Sequence, residues 1–257
     1  MSVVVESFSV AGYTVSAGPY TIAVPAGVVD GELLLWFVDF EDETSGPLAG
    51  PTIITPAGWA KFGGNDNYGN YHSWAGFARI ASSEPSSYAV TIAVPEGNDC
   101  GMVMLRLSGF DPMAAIPHAF ANTNEPIPGS PNISAPSVVT TVDGCAIFRV
   151  CGPARATAPA APSGTTSVAS VNVSFGASLQ AARDNSDLTP AGASGTVLFI
   201  TDGLGSEHAL TLAIAPLVSG HGGAAGSSPA VLAQAGRERI QRAVAMHRRD
   251  FWEEMRR

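Results

Sequence analysis

Very little of this chain is charged, and very little of it can be cross-linked. Only 14% of its 257 residues are Asp, Glu, Lys or Arg, and it has three cysteines. So few thiols, and an odd number of them, exclude a disulfide-framed scaffold. Cys145 and Cys151 flank one predicted strand, about 20 Å apart at about 3.3 Å per residue, so they do not bridge each other within it. No Cys-x-x-Cys pair suggests zinc or redox work, and buried, reduced thiols are expected. Long apolar runs are also missing. The longest, Leu33 to Val38, falls far short of the roughly 20 residues that a spanning helix needs. No basic segment followed by an apolar stretch opens the chain, which starts directly with Val3-Val4-Val5, so neither classical secretion nor membrane insertion is expected. Basic charge is scarce in the body: seven of the 13 Lys and Arg residues crowd into the last 21 positions. The acidic remainder argues against nucleic-acid binding, because phosphate contacts need clustered cations.

Catalytic patterns are equally sparse. His72, His118, His208, His221 and His247 are scattered, with no His-Glu-x-x-His and no i, i+4 pair. There is no Gly-x-Ser-x-Gly elbow, and Gly203-Leu204-Gly205 lacks the third glycine and the βαβ setting of a dinucleotide loop. Ser206-Glu207-His208 are neighbours in sequence, which does not make a triad. The expectation is a non-enzymatic chain with no catalytic residue, no metal ligand set and no cofactor.

What is present is strand signal. Hydrophobic residues make up 46%, and 28 Gly and 19 Pro punctuate them in the manner of turns between short strands. Strands are predicted at 3–10, 19–24, 32–40, 52–55, 71–81, 87–94, 101–108, 132–141, 144–151, 166–175, 176–182, 196–201 and 208–215. Alternation as in Tyr88-Ala89-Val90-Thr91-Ile92 suits a sheet with one wet face. The fold class expected is all-β, a two-sheet antiparallel β-sandwich, jelly-roll-like, over residues 1–217, with a C-terminal amphipathic α-helix. The halves also echo each other. Val29-Asp30-Gly31-Glu32-Leu33-Leu34 resembles Val142-Asp143-Gly144-Cys145-Ala146-Ile147, and Pro56-Ala57-Gly58 resembles Pro162-Ser163-Gly164. Either an internal repeat, giving each half one set of strands in the sandwich, or a coincidence of turn chemistry explains this.

Two segments are candidates for binding. Asp39-Phe40-Glu41-Asp42-Glu43 places four carboxylates at a predicted strand end. Calcium takes six to eight oxygens, usually around a sharp glycine turn, and the glycine here comes only at Gly46. A solvated acidic loop is expected. The second segment, 63–74, contains Asn65, Asp66, Asn67, Tyr68, Asn70 and Tyr71. Amide and carboxylate groups that hydrogen-bond hydroxyls, beside aromatic faces that stack on sugar C–H groups, make a glycan-binding surface. The alternative is a plain hairpin tip, with Asn and Gly supplying turn geometry and Trp74 entering the core.

After Pro216 the composition shifts. Residues 218–229 read as a Gly/Ser-rich linker, and Ser228-Pro229 as an N-cap with proline in the first turn. Residues 230–257 read as a helix about 40 Å long. Ile240, Val244, His247, Phe251 and Met255 share one stripe, with Trp252 beside it as an anchor. A lone helix needs cover for such a stripe, so it either folds back on the sandwich or makes an interface with another protein or with copies of itself.

Gly31-Glu32-Leu33-Leu34-Leu35, Pro56-Ala57-Gly58-Trp59, the strand ending in Arg79 with Ser83-Glu84-Pro85-Ser86-Ser87-Tyr88, Leu107-Ser108-Gly109-Phe110-Asp111 and Ala209-Leu210-Thr211-Leu212-Ala213-Ile214-Ala215-Pro216 complete the reading. Across residues 15–216 these motifs resemble a β-sandwich module of tailed-phage and prophage virion proteins, also seen in bacterial surface proteins. The resemblance implies a peripheral tail, baseplate or capsid fibre or decoration module, made in a bacterial host cytoplasm and resident in the virion. It implies other virion proteins as partners and carries over no catalytic residue.

Overall fold

The computed structural model describes residues 1–16, 18–42, 52–68, 72–93, 98–125, 132–153, 158–173, 176–201 and 207–217. These residues form fifteen strands and four antiparallel sheets. The predicted linker and C-terminal helix lie outside them. The first half of the chain contains β1 (Val4–Ser16), β2 (Tyr20–Ala23), β3 (Leu33–Asp42), β4 (Thr52–Ile54), β5 (Ala60–Tyr68), β6 (His72–Ile80), β7 (Ser87–Ala93) and β8 (Asn98–Ser108). The second contains β9 (Ala119–Glu125), β10 (Asn132–Ala135), β11 (Ala146–Pro153), β12 (Thr165–Val171), β13 (Leu179–Asp184), β14 (Val197–Ile200) and β15 (Glu207–Ile214).

The wiring repeats. One five-stranded sheet runs β1-β8-β3-β6-β5, and the other, read from its far edge, runs β9-β15-β11-β13-β12. In each half the first strand pairs with the last, and the third with the sixth strand of the first half or the fifth of the second. Outside each large sheet, the second strand pairs with the penultimate one, in β2-β7-β4 and in β10-β14. In each half the outer pairing thus nests inside the pairing of the first strand with the last. The turns repeat as well. Gly31 donates its N–H to Ala81 O at 2.9 Å and Gly144 to Leu188 O at 2.9 Å. Gly58 and Gly164 both adopt positive φ, +79° and +80°, within turns closed by Trp59 N–H to Pro56 O and Thr165 N–H to Pro162 O. Asp30 and Asp143 each accept a backbone N–H from a loop later in the same half, from Ser83 at 2.7 Å and from Ala191 at 2.6 Å.

The layering is thus richer than the two-sheet sandwich expected from the sequence. A central sandwich takes one five-stranded sheet from each half, and its interior holds Leu33, Leu35, Phe37, Val103, Leu105, Leu107, Phe148, Val150, Leu210 and Leu212. Each large sheet is then buried on its outer face too. Trp36, Val38, Phe40 and Phe77 pack against Tyr20, Ile22, Ile53 and Val90 of the first outer sheet, while Cys151 and Ala209 pack against Ile133 and Phe199 of the second. Burial on both faces explains why β3 reads as a continuous apolar run, Leu33-Leu34-Leu35-Trp36-Phe37-Val38. All three cysteines are buried.

Gly31 and Gly144 lie 113 positions apart, and the same offset carries Trp36 onto Arg149 and Asp39 onto Gly152. Arg149, which is fully buried, therefore occupies the place of a core tryptophan. Its guanidinium donates to both oxygens of Asp184 (3.0 and 2.9 Å), to Thr211 Oγ1 (2.9 Å) and to the carbonyls of Pro136, Ser194 and Gly195. Its donors are all used, as a buried cation requires. Arg149 fastens the outer segments of the second half where Trp36 fastens those of the first.

Candidate functional site

Strand alternation determines which side chains enter the central sandwich. Along β3 the inward positions are Leu33, Leu35 and Phe37, and the same phase continues to Asp39 and Glu41. Neither residue belongs to a solvated loop: Asp39 is 0% and Glu41 2% exposed. This corrects the expectation for the 39–43 segment. The strand runs to Asp42, paired on both sides by β6 and β8 without a bulge, so the carboxylates stay in register with the core face.

The same continuation occurs on three neighbours. On β6, inward Ile80, Ala78 and Trp74 lead to His72; on β8, Leu107, Leu105 and Val103 lead to Gly101 and Asp99; on β15, Ile214, Leu212 and Leu210 lead to His208. The central sandwich is therefore apolar along most of its length and polar at one end, where Asp39, Glu41, His72, Asp99 and His208 are buried, with Glu207 buried beside them on the alternate face of β15.

At the centre of that end lie Asp39, His72 and His208. One ligand-type atom from each falls within 4.8 Å of the other two. His72 Nε2 hydrogen-bonds Asp39 Oδ1, and His208 Nδ1 lies 3.6 Å from the same oxygen, beyond hydrogen-bonding reach. Trp74 fixes the plane of the His208 ring: the two stack at 5.0 Å with 9° between planes, and Trp74 Nε1 donates to Asn124 Oδ1 at 3.0 Å. Among the described residues, Asp39 Oδ2 and His208 Nδ1 have no hydrogen-bond partner. A buried polar atom left so costs about 1–3 kcal/mol.

The second half makes room for this cluster with glycine. A Cβ on Gly152 would lie 2.1 Å from His208 Cε1 and 2.8 Å from Asp39 Oδ2. Asp39 pairs with Gly101 and Gly152 pairs with His208, so the repeat exchanges an acid-plus-glycine pair for a glycine-plus-imidazole pair.

Burial governs the protonation of all three groups. It pushes the Asp39 carboxyl above its ordinary range, against the opposing charge and hydrogen bond of His72 and a backbone hydrogen bond from Phe40. For His72, burial favours the neutral ring, but the charge and hydrogen bond of Asp39, with Glu41 and Glu207, together hold it above the usual histidine value. His208, desolvated and facing His72, is held well below its usual value and is neutral.

The predicted glycan segment falls next to this end. Asn65 is half-buried on β5, opposite Trp74. Asp66, Asn67 and Tyr68 continue β5 in sequence, with Tyr68 opposite His72. Asn70 and Tyr71 lie outside the described residues, as do Ile240, Val244, His247, Phe251, Trp252 and Met255. Trp74 enters the core, 1% exposed, as expected of a hairpin strand. A separate groove of about 450 Å³ at the β1–β12 edge is lined by Ser2, Thr166, Arg183, Asp184 and Asp187, among others. Its charges are engaged in ion pairs, Arg183 with Asp187 and Asp184 with Arg149.

The Asp39–His72–His208 cluster was missed by local spacing rules, because its members are 33 and 136 positions apart in sequence. The available signal was phase: each stands in step with the inward residues of its own strand. No family model, curated protein or solved structure matches the chain.

Proposed function

We infer that the chain is a non-enzymatic structural protein of a tailed-phage or phage-like particle, a peripheral fibre or spike module that attaches to host-surface glycans. The observation that carries this reading is the wiring: two nested sets of strands in tandem, packed face to face through their large sheets, which supports a pair of jelly rolls. Jelly rolls recur in viral capsid and lectin domains, where a rigid all-β body holds loops against a partner. The step from wiring to role is one of fold analogy. The motifs between Gly31 and Pro216 that resemble virion modules support it independently.

In this reading the residues that bind polysaccharide are Asn65, Asp66, Asn67, Tyr68, Asn70 and Tyr71. The C-terminal stripe of Ile240, Val244, His247, Phe251 and Met255, with Trp252, holds the module to other virion proteins or to copies of itself. Gradient-purified particles from the producing cell, analysed by mass spectrometry, are expected to contain the chain, and a chain ending at 228 is expected to be left behind in the lysate. Binding of the purified protein to bacterial surface polysaccharide is expected to drop at least tenfold in Tyr68→Ala. Particles without the chain would overturn the virion role. Particle association without polysaccharide binding would leave a capsid decoration protein, and polysaccharide binding without particle association a bacterial carbohydrate-binding module.

A further inference from the structure

We propose that Asp39, His72 and His208 bind a divalent transition-metal ion of the zinc class, which ties the two halves together. Asp39 and His72 come from adjacent strands of the first half, β3 and β6, and His208 comes from β15 of the second. An ion held by all three is a cross-link between the halves.

Three observations carry the proposal. The first is convergence: one ligand-type atom of each residue lies within 4.8 Å of the others, and Asp39 Oδ1 and His208 Nδ1 are 3.6 Å apart. Ligand atoms about 2.0–2.1 Å from a tetrahedral zinc ion lie about 3.4 Å from one another. The ion needs only that the direct His72–Asp39 hydrogen bond open to admit it. The second is lone-pair supply. Asp39 Oδ2 and His208 Nδ1 are buried without a hydrogen-bond partner among the described residues. A metal ion satisfies such atoms. The third is preorganisation: Trp74 clamps the His208 ring in a parallel stack, and Gly152 leaves the space between that ring and Asp39.

The donor set selects the metal. Two imidazoles and one carboxylate suit zinc, and also cobalt, nickel or iron(II), whereas calcium and magnesium take shells of oxygens. The buried carboxylates of Glu41, Asp99 and Glu207 add negative potential around the cluster, which favours any divalent cation over none. The setting is closed, with Asp39, His72 and His208 at most 1% exposed, so the ion serves as a structural staple loaded as the halves come together.

The test refolds the full chain from denaturant with Zn²⁺, with Co²⁺ or with Ca²⁺, desalts it and measures the metal retained. About one Zn²⁺ or Co²⁺ per chain and no Ca²⁺ is the expected result. Cobalt is expected to show the visible bands of a site bound by two imidazoles and a carboxylate. His208→Gln and His72→Gln are each expected to weaken binding more than about 100-fold, since loss of even an outer-sphere partner costs about 10–100-fold. The double variant His221→Ala, His247→Ala, which removes histidines outside the cluster, is expected to retain the full amount. The cobalt spectrum and zinc-dependent melting temperature of the unmodified chain read the site even where a variant fails to fold. Absence of retained metal in the refolded unmodified chain overturns the proposal, and so does retention that survives His208→Gln or disappears in the His221/His247 variant. Because the readout is metal content, it stands or falls apart from the virion reading.

Discussion

The two halves of this molecule share a wiring and differ in what they place on it. Around Gly31 and Gly144 the backbone hydrogen bonds match nearly atom for atom, with N–H to O distances of 2.9 Å to Ala81 and to Leu188. Within the strands that follow, the correspondence is one of position only. Trp36 in the first half is replaced by Arg149 in the second, and the Asp39–Gly101 pair by the Gly152–His208 pair. Turn geometry is shared because it sets the register of both sheets. At one end of the central sandwich the side chains diverge: the first half contributes charge, the second space and an imidazole.

The most damaging way to break this comparison is to remove its largest asymmetry. Arg149→Leu leaves Asp184, Thr211 and three carbonyls without their donor. The expected loss is about 3–5 kcal/mol, the range found on breaking a buried pair from one side. Chemical denaturation of the variant measures it. Trp36→Leu, at the equivalent position, keeps an apolar contact and should cost less; an equal loss would mean that Arg149 acts through packing alone.

A smaller effect is expected from filling the gap in the second half. Gly152→Ala places a Cβ 2.1 Å from His208 Cε1 and should destabilise the fold by about 1–3 kcal/mol, as overpacking does. Gly101→Ala, which meets the carbonyl oxygen of Ala177 at 2.2 Å, should do likewise. Only the Gly152 variant, however, is expected to disturb the His208 ring, read as a shift of its NMR resonances. Equal His208 shifts in both variants would argue against a specific role for the Gly152 space.

The mildest pair sharpens the repeat itself. Gly58→Ala and Gly164→Ala force alanine into the same left-handed conformation, φ +79° and +80°, and each is expected to cost about 1–2 kcal/mol. Gly164 has open space where a Cβ would go, whereas at Gly58 the Cβ would meet Arg79 Nη1 at 2.3 Å. Melting curves should therefore place Gly58→Ala at or slightly below Gly164→Ala. A Gly164 variant as stable as the unmodified chain would show that the second turn is not held as the first is.

Much of this architecture was legible in the sequence. The all-β class, most strands and the turn pairs at Asp30/Asp143 and Gly58/Gly164 follow from composition and punctuation. Two strands did not. β5 carries Gly63-Gly64-Asn65-Asp66-Asn67, which by composition is a turn. It forms a strand because pairing with β6 tolerates two register shifts, the first of them at Gly63, where the missing side chain admits Phe120. β9, Ala-Phe-Ala-Asn-Thr-Asn-Glu, is a polar edge strand paired with β15 and held by tertiary contacts of Phe120 and Asn124 with Trp74, and nothing local marks it. The outer sheets were unread because a strand buried on both faces and one buried on a single face look alike in short apolar runs. The polar cluster lay hidden for a related reason. Acidic residues at a strand end suggest solvent, and only the phase of Leu33, Leu35 and Phe37 carries Asp39 inward. That His208 meets it from the other half is a fact of tertiary packing.

The most direct test of this account is anomalous diffraction at the zinc absorption edge, on crystals of the full chain grown with zinc. A single strong peak is expected between Asp39, His72 and His208, within about 2.0–2.2 Å of a ligand atom of each, at the junction of the two halves. A site with no peak, where His72 still hydrogen-bonds Asp39 directly and His208 stands apart, would contradict it.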